Sequence, residues 1–168
     1  MIIRLSQKLC TKVKAGKLSD LPLADQPLLD WSTQSFALGR TQFILISNTG
    51  SLYSCVTPCK GVTSTSQLIS QFSQAVLHQL QKDGFGKAVE KLIAIKPDKI
   101  QFAKSLNRSV IGSMNEQIVM AATAMSIKDV TLPELSDELN DTLLSILSSK
   151  KGDYGRPMEV MVELCSKA

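Results

Sequence analysis

The residues whose types and spacing suit binding chemistry fall at two places in the chain. Arg40 and Gln42 follow Gly39, and Asn48 sits in the turn cluster Ser47-Asn48-Thr49-Gly50-Ser51. Asn107, Arg108, Ser113 and Asn115 lie together further on. A guanidinium presents a planar fork of donors that matches a carboxylate or phosphate, and a helix N-terminus adds free N–H groups. Arg40, Asn48, Asn107, Arg108, Ser113 and Asn115 therefore form a candidate ligand-binding set, with the two arginines converging on one anion. The alternative has these residues closing turns, because Asn and Ser bond readily to nearby backbone.

Catalytic patterns are missing. The chain has no HExxH, CxxC or GxSxG. A Ser–His or Cys–His nucleophile would need His78, the one histidine. That residue falls off the apolar stripe of its segment, so a solvent-facing position is expected. Asp137, Glu138 and Asp141 pair carboxylates on one helical stretch with leucines behind them, which suits a solvated face. Gly84-Phe85-Gly86 ends a helix instead of following a strand and fails as a phosphate loop. Cys10, Cys55, Cys59 and Cys165 are dispersed in apolar company. Cys55 and Cys59 are close, but zinc would need two more ligands. Reduced thiols are expected, with no metal, no cofactor and no catalytic residue assigned.

The elements that must position the candidate set are organised around residues 31–58. Phe43-Ile44-Leu45-Ile46 and the returning Leu52, Tyr53, Cys55 and Val56 read as a β-hairpin closed by the Asn48–Gly50 turn and ended by Pro58. Residues 2–5 predict a strand. Ser6 caps a short helix over 7–14, with Leu9, Cys10 and Val13 inward and Lys8 and Lys12 sharing the outer face. Residues 17–27, with two prolines, predict a loop. Residues 28–38 predict a helical turn or two with Trp31 and Phe36 packing down. Leu68, Ile69, Phe72, Ala75, Val76 and Leu80 recur at helical spacing, and Gly84 stops that helix. A shorter helix over 86–94, a turn at Lys96-Pro97-Asp98-Lys99 and a strand over 100–105 follow. Residues 106–108 turn into a strand at 109–112, which makes a second hairpin. Ser113 or Asn115 then caps a helix carrying Ile118, Val119, Ala122 and Met125. Thr131 and Pro133 open another helix, running to about residue 148. Residues 150–155 read as a loop. Pro157 opens a last element over 158–166, although EVMVEL also suits a strand. The result is α+β: a single domain over 1–168, with one antiparallel sheet built from hairpins and helices packed around it.

Composition narrows the class. A chain of 168 residues with 43% hydrophobic and 20% charged residues is long enough for one packed core. No apolar run approaches a membrane span, and no export signal precedes residue 10. A soluble cytoplasmic protein without a membrane partner is expected. The net charge of +4 is uneven. Residues 1–108 hold 14 Lys/Arg against 6 Asp/Glu, a net +8, and residues 109–168 hold 5 against 9, a net −4. Such a basic segment suits nucleic acid or an acidic partner.

Several runs carry a family resemblance: Ile3-Arg4 with Lys8-Leu9, then Trp31, Phe36, Arg40-x-Gln42, Asn48 and Leu52-Tyr53, then Asn107-Arg108-Ser109-Val110-Ile111-Gly112-Ser113-Met114-Asn115. Over about residues 1–125 the chain resembles a family of small uncharacterised bacterial proteins, often encoded near plasmid or mobile-element genes. The resemblance implies no activity and transfers no site residue.

Three functions stay open. The first is a non-catalytic protein-interaction or regulatory module, with a protein partner or self-association. The second is a nucleic-acid-binding protein using the basic 1–108 segment. The third is an enzyme acting on an anionic ligand at an Arg40/Arg108 site.

Overall fold

The computed structural model describes residues 1–148 and 153–167. Five strands form one sheet: β1 (Ile2–Leu5), β2 (Asp30–Leu38), β3 (Thr41–Asn48), β4 (Ser54–Pro58) and β5 (Gln101–Lys104). Their order is β4-β3-β2-β1-β5. The sheet is mixed, which corrects the expectation of an antiparallel one. β2, β3 and β4 form an antiparallel meander, with Phe36 opposite Phe43 and Ile46 opposite Cys55. β1 runs parallel to both neighbours, pairing Ile3 with Trp31 on one side and with Phe102 on the other. The cause is the crossover. A helix, α1 (Gln7–Val13), follows β1 and returns the chain, so that β2 starts at the same end.

α1 forms as its residues dictate. Ser6 accepts a hydrogen bond from Leu9 N, and Leu9, Cys10 and Val13 point into the core. The helical turns expected over 28–38 shrink to a 3-10 turn at Pro27–Leu29, and the rest is β2. Central position decides this. Trp31 packs on one face of the sheet and Phe36 on the other, and Ser32, Thr33 and Gln34 are buried between paired strands.

After β4 come α2 (Thr65–Lys82) and α3 (Gly86–Ile93). Ser64 caps α2, accepting from Gln67 N. Gly84, at φ 79°, supplies the left-handed residue past its end. The second hairpin expected over 100–112 does not form. Residues 109–112 are the opening of α4 (Arg108–Ile127), capped by Asn107, whose Oδ1 accepts from Val110 N at 2.9 Å. The cap therefore lies ahead of Ser113 and Asn115. The buried series Val110, Met114, Gln117, Ala121 and Ala124 has helical spacing, which overrides the strand preference of Val110 and Ile111.

α5 (Leu132–Asn140) opens with a capping box between Thr131 and Glu134 and ends well short of residue 148. A 3-10 turn, Ser145–Leu147, follows, and Leu144 bridges to Gly155. Of the loop expected over 150–155, residues 150–152 lie outside the described residues. Pro157 opens α6 (Pro157–Ser166), a helix and not a strand.

The two faces of the sheet carry two cores. Ile3, Leu5, Trp31, Ile44, Ile46 and Cys55 meet α1, α2, α3 and α6. Phe36, Phe43, Leu45 and Val56 meet α4 and α5. Both outer strands have cover. At β4, Asn140 accepts from Ser54 N at 2.6 Å and donates to Ser54 O at 3.0 Å, and Ser136 Oγ accepts from Val56 N at 3.3 Å. At β5, Ser19 bridges to Ala103. Arg4 holds the loop that carries Ser19. Its buried guanidinium forks onto Asp30 at 2.7 Å and donates to the carbonyls of Leu21, Pro22 and Lys104.

Candidate functional site

Three segments meet at one end of the sheet. The α1 crossover brings Lys8 and Lys12, one turn apart, beside β2, and Lys12 reaches Gln42 of β3. The Gly39-Arg40 turn joins β2 to β3. The exit of β4 brings Cys59-Lys60-Gly61, where Val62 N donates to Cys59 O at 3.3 Å and Gly61 has φ 78°. That positive φ is what the third position of a type II turn requires. Between these segments lies a hollow of about 410 Å³ lined by Lys12, Arg40, Thr41, Gln42, Lys60 and Gly61.

Among the described residues no carboxylate lines the hollow. Lys12 Nζ donates to Gln42 Oε1 at 3.0 Å, which leaves the Gln42 amide donors pointing away from that bond. The Cys59 thiol lies in the wall, almost wholly buried. Burial pushes its pKa up, against the opposing pull of the Lys12 and Lys8 charges. Lys8 therefore belongs to the same positive field. The arrangement offers cations and neutral donors around the Cys59 thiol, groups whose chemistry suits an anion.

The sequence-derived candidates divide. Arg40 lies in this hollow, exposed, with no side-chain partner among the described residues. Asn48 is fully buried and closes the β3–β4 turn. Its Nδ2 donates to the carbonyls of Pro27 and Asp30, and its Oδ1 accepts from Gly50 N and Ser51 N. Asn107 is the cap of α4. Arg108 is exposed at the first position of that helix, also without a side-chain partner among the described residues. Ser113 is buried on α4, and Asn115 is exposed on it. Arg108 does not line the Arg40 hollow, which opens beside α1, whereas α4 covers the other face of the sheet. Lys60 was not visible as a partner of Arg40, because the whole β3–β4 hairpin separates them in sequence. The i, i+4 spacing of Lys8 and Lys12 was the usable signal.

A second groove follows the β4 edge, with Thr57, Gln71, Gln74 and His78 between α2 and α5. His78 is exposed there, as its sequence position predicts. No cluster of three His, Cys, Asp or Glu side chains suited to a metal occurs among the described residues. No helix among them is long and apolar enough to cross a membrane. All four cysteines are free.

A family model described as a domain of unknown function, DUF6933, matches residues 2–160. The chain belongs to this family. The DUF6933 match covers both the Arg40 turn and the Asn107–Asn115 segment, and reaches beyond the 1–125 span of the resemblance. Membership in DUF6933 assigns no activity. No curated protein matches the chain.

Proposed function

We propose that this protein is a non-catalytic binding module that recognises an acidic protein partner through its basic end. One observation carries the reading. Lys12, Arg40 and Lys60 line one hollow, the charge of Lys8 acts on Cys59 in its wall, and no ion pair among the described residues uses any of the four. Cations satisfied within a fold sit beside carboxylates, as Lys104 does with Asp20. Unpaired cations crowded together repel one another, and an external anion relieves that repulsion. Of the sequence-derived set, Arg40 is the contact residue in this reading. Asn48, Asn107 and Ser113 support the elements around it, and Arg108 and Asn115 are available to a partner on the α4 side. Four free thiols suit a reducing, cytoplasmic setting, and the resemblance adds a bacterial, mobile-element context.

The test is fluorescence anisotropy with a labelled oligoglutamate peptide and with single- and double-stranded DNA of matched charge. The peptide should bind, weaken with salt, and be lost in a Lys12→Glu/Arg40→Glu variant. Tighter DNA binding, with a log–log salt slope of about −0.9 per phosphate on duplex, would hand the site to nucleic acid. No binding of either probe at low salt ends both readings. Sedimentation at low salt identifies a second copy as the partner if the chain dimerises and the same variant stays monomeric.

A further inference from the structure

The donors around the hollow differ in kind and converge from separate segments. Arg40 brings a planar fork, Lys12 and Lys60 bring ammonium groups, and Thr41 brings a hydroxyl. None of Arg40, Thr41 and Lys60 has a side-chain partner among the described residues. Gln42 turns its oxygen to Lys12, so its NH₂ group remains to donate. Lys8 adds charge one turn behind Lys12. A carboxylate brings one charge and two acceptor oxygens, which is less than this set can satisfy. A phosphoryl monoester brings a charge of about −1.5 to −2 and three acceptor oxygens.

We infer that this hollow is a receptor site for a phosphorylated serine or threonine side chain on the partner protein. The inference rests on the acidic-partner reading and names the group that seats in its site. The guanidinium fork of Arg40 matches two phosphoryl oxygens, and the two lysines neutralise the second charge as point cations. Phosphodiesters are a poorer fit. Their single charges are spread along a backbone, whereas these cations surround one hollow. Among the described residues no aromatic side chain lines it to stack a base. The lack of an aromatic wall also favours a short phosphorylated side chain over phosphotyrosine.

The experiment is calorimetric titration of the full chain with three acetylated, amidated nonapeptides carrying phosphoserine, Glu or Ser at the centre, with inorganic phosphate as competitor. The phosphoserine peptide should bind at least tenfold more tightly than the Glu peptide at pH 7.5, and the Ser peptide should not bind. Inorganic phosphate should displace it. Arg40→Lys, which keeps the charge but loses the fork, should shrink the phosphoserine preference, and so should Lys60→Gln. Both positions are exposed, so unchanged thermal midpoints will show that the fold is intact. At pH 5 the phosphoryl group becomes a monoanion, and the preference should fall toward that of Glu. Equal affinity for the phosphoserine and Glu peptides overturns this inference and leaves the acidic-partner reading standing. Failure of these peptides together with oligoglutamate overturns both. Phosphoserine binding that survives both substitutions unchanged overturns the placement at this hollow. DNA that displaces the phosphopeptide at lower concentration than inorganic phosphate overturns the choice of a protein ligand.

Discussion

Arg4 uses all its donor geometry on protein atoms. Nε and Nη2 take the two oxygens of Asp30, and the remaining N–H groups reach three carbonyls. The Asp30 carboxylate also accepts from Ala24 N at 3.0 Å. Both side chains are excluded from water. Removing one partner of such a pair strands a buried charge, so Asp30→Asn should cost about 3–5 kcal/mol in urea unfolding. A loss below about 1 kcal/mol would show that the loop over 17–25 re-forms around Arg4 without the carboxylate. The thiols give a second residue-level test. Denatured, unreduced protein should show four reactive cysteines, and a count of two would reveal a disulfide. In the native state Cys55 should be silent, because burial pushes its pKa up to about 12. Burial, with Asp83 accepting a hydrogen bond from its hydroxyl, likewise pushes the Tyr53 phenol up. Both shifts favour the protonated form in the fold. Their stabilisation is therefore complete below the ordinary thiol range, about pH 8.5, and fades as pH rises toward the folded values. Unfolding at pH 10 should need less urea than at pH 7.5, and a midpoint that does not move would contradict these burials.

Elements were legible where local signals agreed. α2 has an apolar stripe within it, a serine cap just before it and a glycine just past its end. Its Phe72 meets Trp31 edge-to-face at 5.7 Å, and Phe72→Ala should cost about 3–5 kcal/mol. The start of α4 is illegible locally, because Val110-Ile111 prefer strands and because Ser113 and Asn115 imitate a cap that Asn107 supplies. β2 does not read as a strand in the sequence, because a strand buried on both faces shows no alternation. The parallel pairings of β1 had no local signature, since their partners lie far along the chain. At the candidate site, Arg40 is marked by its place beside a turn and Lys8 and Lys12 only by a shared helix face, and their meeting with Lys60 depends on strand pairing. The α5 cover of β4 was hidden for the same reason. Asn140 reaches 86 residues back to Ser54. Asn140→Ala strands a buried N–H and a buried C=O, each worth about 1–3 kcal/mol. Denaturant unfolding with unchanged stability would show that water serves those groups.

For the whole molecule, pairing distance sets an order of assembly. The β2–β3–β4 meander closes through short turns, whereas β1 needs β5 as its second neighbour. Local contacts form before distant ones, because loop closure costs entropy before contacts repay it. Pulse-labelled hydrogen exchange during refolding should therefore protect Leu45 and Ile46 before Ile3 and Ala103. Simultaneous protection would mean that the sheet forms in one step.

The place of β1 between β2 and β5 also has a consequence during synthesis. Arg4 and Lys104 are 100 residues apart, yet Arg4 donates to the Lys104 carbonyl. At ribosomal rates of about 5–20 residues per second, about 5–20 s separate the emergence of these two strands. Throughout that interval the nascent chain carries an apolar strand with one edge open, the kind of surface that recruits stray strands. The open edge is short, four residues, and Arg4 stands in the middle of it. A polar side chain there, already forked onto Asp30, discourages misplaced pairing until β5 arrives and the Lys104 carbonyl accepts from the guanidinium.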